Sequence, residues 1–156
     1  MREYKNKEFN DIVSDILLIE EFDKLKTCTH HGIDRHNHCM RVSYYTYKIT
    51  KILHLNYKSA TRASLLHDFF IDEVKDLNGL KRLQKHPKYA LENAKKYFEI
   101  SKLEEDIIIT HMFPVTLRPP RYIESILVDL IDDVASIYER CYYIVRKLKG
   151  ALTLRV

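Results

Sequence analysis

Apolar residues recur along this chain at helical spacing, and no stretch alternates for long enough to make a strand. Residues 8–26 carry Phe9, Ile12, Ile16, Ile19 and Phe22 on one face, which predicts an amphipathic first helix. The loop "TCTHHGIDR" follows, with Gly32 as a natural break. A second helix is predicted from about His38 to Leu53, with Val42, Tyr45, Ile49 and Leu53 in one stripe. A third begins near Ser59, carries Ala60, Ala63, His67 and Phe70, and closes at "DLNG". Pro87 suits the first turn of a fourth, whose apolar side is Ala90, Leu91, Ala94 and Phe98.

Ser101 and Glu104 form a capping box for a fifth helix containing Ile107, Ile108 and His111. It should stop before Pro114, where "PVTLRPPR" reads as a stiff loop. The last helix runs from about Tyr122 to Lys147, with Ile126, Leu127, Leu130, Val134, Ile137 and Cys141 as its apolar residues. With only three glycines and four prolines, no repeat and no low-complexity segment, the pattern predicts a single compact all-α bundle of about six main helices over 1–156.

Several polar residues fall on faces that should point inward. His38 opens the second helix on the side of Val42, and His67 shares a face with Ala60 and Ala63. His86 precedes Pro87, His111 lies a turn beyond Ile107, and Asp132 sits with Val128 and Ala135. Asp68 adjoins His67 inside the apolar run "ASLLHDFF". A lone buried histidine is ordinarily a hydrogen-bonded core residue. Four histidines and two carboxylates converging from separate helices need a common sink for their polarity, and a cation supplies one. Mixed imidazole and carboxylate ligands without thiolate favour iron or manganese, with magnesium, cobalt, nickel and zinc compatible.

Composition narrows the class. The chain has 156 residues, 46% hydrophobic and 31% charged, an ordinary globular mix. Its net charge of +4 suits a phosphate-bearing small molecule and is too scattered for a nucleic-acid groove. No apolar run approaches the roughly 18 residues of a membrane span, so no membrane partner is expected. The charged N-terminus lacks a secretory pattern, and Cys28, Cys39 and Cys141 suggest no disulfide framework, so a cytoplasmic location is expected.

The segments "RHNHCMRVS" (35–43), "ASLLHDFF" (63–70), "KHPKYALENA" (85–94), "THMFP" (110–114) and "ILVDLIDDVAS" (126–136) resemble the HD-domain superfamily of metal-dependent phosphohydrolases, over roughly 30–137. Residues 1–27 then form an N-terminal helix ahead of it, and 138–156 the end of the last helix and a tail. The resemblance implies His38, His67, Asp68 and Asp132 as ligands of a first divalent ion. His86 and His111, with Asp68 as a bridge, match members holding two ions. Asp129, one turn from Asp132, is a rival last ligand.

His67 and Asp68 would be central to catalysis, with a metal-activated hydroxide attacking phosphorus. Arg35, His31, Arg118 and Arg121, and also Arg41, are candidate phosphate contacts. The substrate would be a nucleotide or another small phosphate ester. The chain departs from better-known members, which carry Gly-Lys where Phe70 and Ile71 stand here. Lys75 or the arginines would then have to supply positive charge, with Asp72 or Glu73 as an acid or as a group supporting the ligands. The same departure leaves open a catalytically weak domain that binds metal and nucleotide as a regulatory module. A plain helical interaction domain is the third reading, and self-association is also open.

Overall fold

The computed structural model describes residues 4–30, 33–71 and 76–153. The Asn6 side chain accepts the Phe9 N–H at 2.9 Å and starts α1 (Lys7–Leu17), which buries Phe9, Val13 and Ile16. The single helix expected over 8–26 breaks here. Leu18 is exposed, Ile19 is extended, and the chain resumes as the short α2 (Glu20–Asp23) and a 3₁₀ turn over Lys24–Thr27. The break lets Phe22 and Leu25 fold back into the core, Phe22 packing on His36 and Phe69 with ring centroids at 5.4 and 5.7 Å. Tertiary packing overrides local periodicity at this point.

A two-residue antiparallel ladder, β1 (Thr29–His30) with β2 (Ile33–Asp34), leads into α3 (Arg35–Ile52). The Asp34 carboxylate caps α3, accepting the Asn37 N–H at 2.8 Å. There follow α4 (Tyr57–Leu66), α5 (Gly79–Tyr97), α6 (Lys102–Thr110) and α7 (Ile123–Thr153). The protein is all-α, with α1 and α3 to α7 as the six main helices. The capping box of α6 forms as expected, Ser101 and Glu104 each accepting the other's backbone N–H. No described helix is long and apolar enough to cross a membrane.

Helix α3 is central, packed along α4 on one side and α7 on another, with α6 closing against α4, α5 and α7. Its contact with α4 is close because the facing residues are small: Ser43 donates to the Thr61 carbonyl at 2.8 Å, and Ala60 and Ala63 are fully buried. Thr50 returns its hydroxyl proton to the Thr46 carbonyl, so these hydroxyls are buried without loss.

Ser43 and Thr50, with their hydroxyls so bonded, take the inward side of α3. Tyr45, Ile49 and Leu53, expected in one stripe with buried Val42, stand half-exposed instead. The same inversion affects α7, where Ile126, Leu130, Val134, Ile137 and Cys141 face outward while Val128, Ile131, Asp132, Ala135 and Glu139 face inward.

Two boundaries also differ from expectation. Helix α4 ends at Leu66, so His67 and Asp68 stand at its C-terminal end rather than within a helix. Helix α5 begins at Gly79, where a left-handed backbone (φ +45°) suits the missing Cβ, and Pro87 lies inside it. Having no N–H to give, Pro87 leaves the carbonyl one turn earlier without its helical bond.

Candidate metal centre

His67 and His111 are placed in the same way. Each is the C-cap of a short helix, α4 and α6 respectively, and each ring folds back so that Nδ1 meets the carbonyl three residues earlier, Ser64 and Ile108, at 2.7 Å. His86, on α5, meets the Arg82 carbonyl through Nδ1 at 3.0 Å. His38, in the first turn of α3, meets the Glu139 carboxylate through Nδ1 at 2.9 Å.

Carbonyls and carboxylates only accept, so every one of these Nδ1 atoms carries the proton. In the neutral ring Nε2 is then a bare lone pair. All four rings are buried, as are Asp68 and Asp132.

The Nε2 atoms and carboxylate oxygens converge. His86 and His111 bring their Nε2 atoms within 2.8 Å of each other. Asp68 Oδ1 lies 3.2 Å from His86 Nε2 and 3.7 Å from His111 Nε2. Asp132 Oδ1 lies 2.8 Å from His38 Nε2 and 3.6 Å from His67 Nε2, the latter beyond hydrogen-bond reach. Ligand atoms of three overlapping trios lie within 4.8 Å of one another: His38, His67 and Asp68; His67, His111 and Asp132; and Asp68, His86 and His111.

Lone pairs facing lone pairs at such distances repel unless something electron-poor lies between them. Only a proton or a cation meets that demand, and neighbouring nitrogen ligands of one divalent ion stand about 3 Å apart, given bonds of about 2.1 Å. The C-terminal ends of α4 and α6 add their partial negative charge to the same volume. These buried groups of histidine and aspartate could hold a divalent metal.

The protonation pattern follows from the geometry. Burial opposes charge on His38, yet Asp132 and Glu139 on its two nitrogens outweigh it and hold the ring up to about 10. His67 is likewise raised against its burial, chiefly by Asp132. Burial, with His86 and His67 alongside, pushes His111 down to about 3. Burial alone would raise Asp132, but His67 and His38 keep its carboxyl well below the usual range.

A family model described as HD domain matches residues 35–137, about two thirds of the chain. The chain belongs to the HD family. That superfamily is one of metal-dependent phosphohydrolases, whose domains bind divalent metals. No curated protein and no solved structure matches the chain. The HD doublet itself, His67-Asp68, is the hinge of the cluster, since Asp68 belongs to two of the three trios.

The remaining sequence candidates divide. Arg35 is buried beside the doublet, its Nε 3.8 Å from Asp68 Oδ2, while a terminal nitrogen donates to the Phe70 carbonyl. Its guanidinium stacks 3.8 Å over the Phe70 ring, which also lies against His86 with centroids at 5.1 Å. This packing accounts for Phe70 at the place where other HD members carry glycine: the ring holds an arginine against the doublet.

Arg118 and Arg121 are exposed on the loop after α6, where the Arg121 backbone N–H is fixed by Asp106 at 2.9 Å. Arg41 is bound to Glu139 rather than facing open solvent. Asp129, on α7, is half-buried and is in none of the trios. His31, Asp72, Glu73 and Lys75 lie outside the described residues. Cys39 is fully buried, and burial pushes its thiol well up, which suits packing.

Sequence reasoning missed Glu139, the fully buried carboxylate that orients His38 and accepts from Arg41. Its signal was present, because Val128, Asp132, Ala135 and Glu139 recur at helical spacing on one face of α7. It also missed Asp106, which accepts from Ser125 Oγ at 2.8 Å and ties α7 to α6.

Proposed function

We propose that this protein is a metal-dependent phosphohydrolase acting on a nucleotide or another small phosphate ester, with two divalent ions of iron or manganese type. The observation that carries the reading is the convergence of four imidazoles and two carboxylates, each ring anchored through Nδ1 so that Nε2 points inward. His38, His67, Asp68 and Asp132 hold one ion; Asp68, His86 and His111 hold the other. When bound, such ions supply Lewis acidity that brings water within reach of deprotonation near neutral pH.

The chain's own residues do the rest. Ser64, Ile108 and Arg82 carbonyls and the Glu139 carboxylate keep each Nδ1 protonated and each Nε2 available. Arg35 sets its guanidinium beside the second Asp68 oxygen, with Nε 3.8 Å from Oδ2. Burial of the cluster excludes bulk water and strengthens every charge interaction within it. Arg118 and Arg121, on the loop leaving His111, bind the substrate phosphate through planar guanidinium forks. Three free cysteines suit a reducing, cytoplasmic setting.

Phe70 and Ile71 in place of Gly-Lys favour a second reading, a regulatory module that binds metal and nucleotide without turnover. Manganese-loaded protein assayed against mononucleotides, dinucleoside polyphosphates and an aryl phosphate separates the two. Turnover of at least one compound, lost in Asp68→Ala, is expected. Silence on all of them with metal bound would leave the regulatory module.

A further inference from the structure

Helix α7 carries a second pattern that the metal centre does not use. Ile123, Leu130, Ile137 and Ile144 repeat at intervals of seven, and so do Leu127, Val134, Cys141 and Leu148, offset by four. The two series interleave three and four apart over more than three heptads, the period of a coiled-coil seam. They lie on the side of α7 opposite Asp132 and Glu139, and apart from half-buried Leu127 they are left exposed by the described residues. Ile123, Leu130, Val134, Ile137, Ile144 and Leu148 are each between 50% and 64% exposed. An adjoining groove lined by Tyr45 and Ile49 of α3 extends the apolar surface sideways.

We propose that this face is the interface of a homodimer, in which α7 of a second copy lies antiparallel along the seam. A strict heptad specifies a helix as its occupant, because only another helix offers knobs at the same period. The flanking charges choose the direction. Centring the two-fold between residues 135 and 136 layers Val134 on Ile137 and Leu130 on Cys141, with Leu127 on Ile144 and Ile123 on Leu148 farther out. The same register sets Asp133 beside Arg140 of the other copy twice, once on each side of the axis. A self-complementary pairing of this kind is what a two-fold interface requires.

A parallel pairing brings Asp133 opposite Tyr138 and leaves the charges unmatched. Residues 123–148 run about 39 Å along the helix axis.

Analytical ultracentrifugation of the full chain at micromolar concentration tests the proposal. Twice the chain mass is expected for the wild type, and a single chain mass for Leu130→Glu with circular dichroism unchanged. Asp133→Arg alone and Arg140→Asp alone each weaken the dimer at least tenfold, and the double swap restores it. Leu130→Cys meets native Cys141 across the axis, so mild oxidation links the variant covalently and leaves the wild type unlinked.

A monomeric wild type overturns the proposal, and so does a monomer that binds lipid vesicles through this face. A dimer that Leu130→Glu leaves intact overturns it as well. A wild type that crosslinks through Cys141 overturns the antiparallel arrangement.

Discussion

The two faces of α7 are inverted relative to an ordinary amphipathic helix. Asp132 and Glu139 point into the bundle, at 8% and 1% exposure, while Leu130, Val134 and Ile137 point out. Burying two carboxylates costs several kcal/mol each unless they meet partners, and exposing a continuous apolar row forgoes its burial. Each face therefore departs from the default, and each departure needs a partner. The inward carboxylates meet imidazoles whose Nε2 atoms converge on one volume and could hold a cation. The outward row matches a helix of its own period. Residues set against the hydrophobic pattern stand out on both sides, a group that could hold metal inside and the proposed interface outside.

The largest effect expected on the inner face comes from the doublet. Asp68→Ala removes the carboxylate shared by two trios, and hydrolysis should fall by more than about 100-fold, beyond what loss of a ligand's neighbour costs. Activity that survives this change at wild-type level would detach the chemistry from the cluster. Next is Glu139→Gln, which keeps the side-chain shape but weakens the hold on the His38 Nδ1 proton. Metal affinity should drop about 10- to 100-fold with the fold retained, measured by competition with a chelating dye. An unchanged affinity would make Glu139 a structural anchor for Arg41 and nothing more.

A proton balance sharpens the same comparison. His38, held up to about 10 in the metal-free protein, is charged at pH 7 and must give up its Nε2 proton to become a ligand. Affinity should therefore rise about tenfold per pH unit between pH 6 and 9 for each proton released. Calorimetry in buffers of different ionisation enthalpy counts those protons directly. A pH-independent affinity would mean that His38 is not displaced from its imidazolium form.

The smallest effect belongs to Asp129, one turn from Asp132 but in none of the trios. Burial, then Asp133 and Asp132, pushes its carboxyl up to about 7 in the folded chain. A carboxyl whose folded value is raised binds its proton more tightly when folded, so stability falls as pH rises from about 4 through about 7. Asp129→Asn should raise the melting temperature of the metal-free protein at pH 8, by a few degrees at most because the group is half in solvent. It should change nothing at pH 4.

Helix number, fold class and the inward histidines were legible because period and composition are local signals: Ser101 and Glu104 cap α6 as their spacing says, and His111 turns inward a turn beyond Ile107. Which of two apolar rows faces the core was not legible. Both α3 and α7 carry two rows, and the choice depends on whether a competing polar row can satisfy itself. Thr50 does so through its own helix, Ser43 through α4, and Glu139 through His38 and Arg41. The break after Leu17 was hidden for a similar reason, since neither glycine nor proline marks it and the cause is Phe22 reaching His36 and Phe69.

The central claim is that the six-residue cluster holds divalent metal. Elemental analysis of the protein after incubation with manganese or ferrous iron and removal of excess tests it most directly, with a His67→Ala, Asp68→Ala variant carried in parallel. Two ions per chain are expected in the wild type and none in the variant. A wild type that retains no metal, or a variant that retains as much, would contradict it.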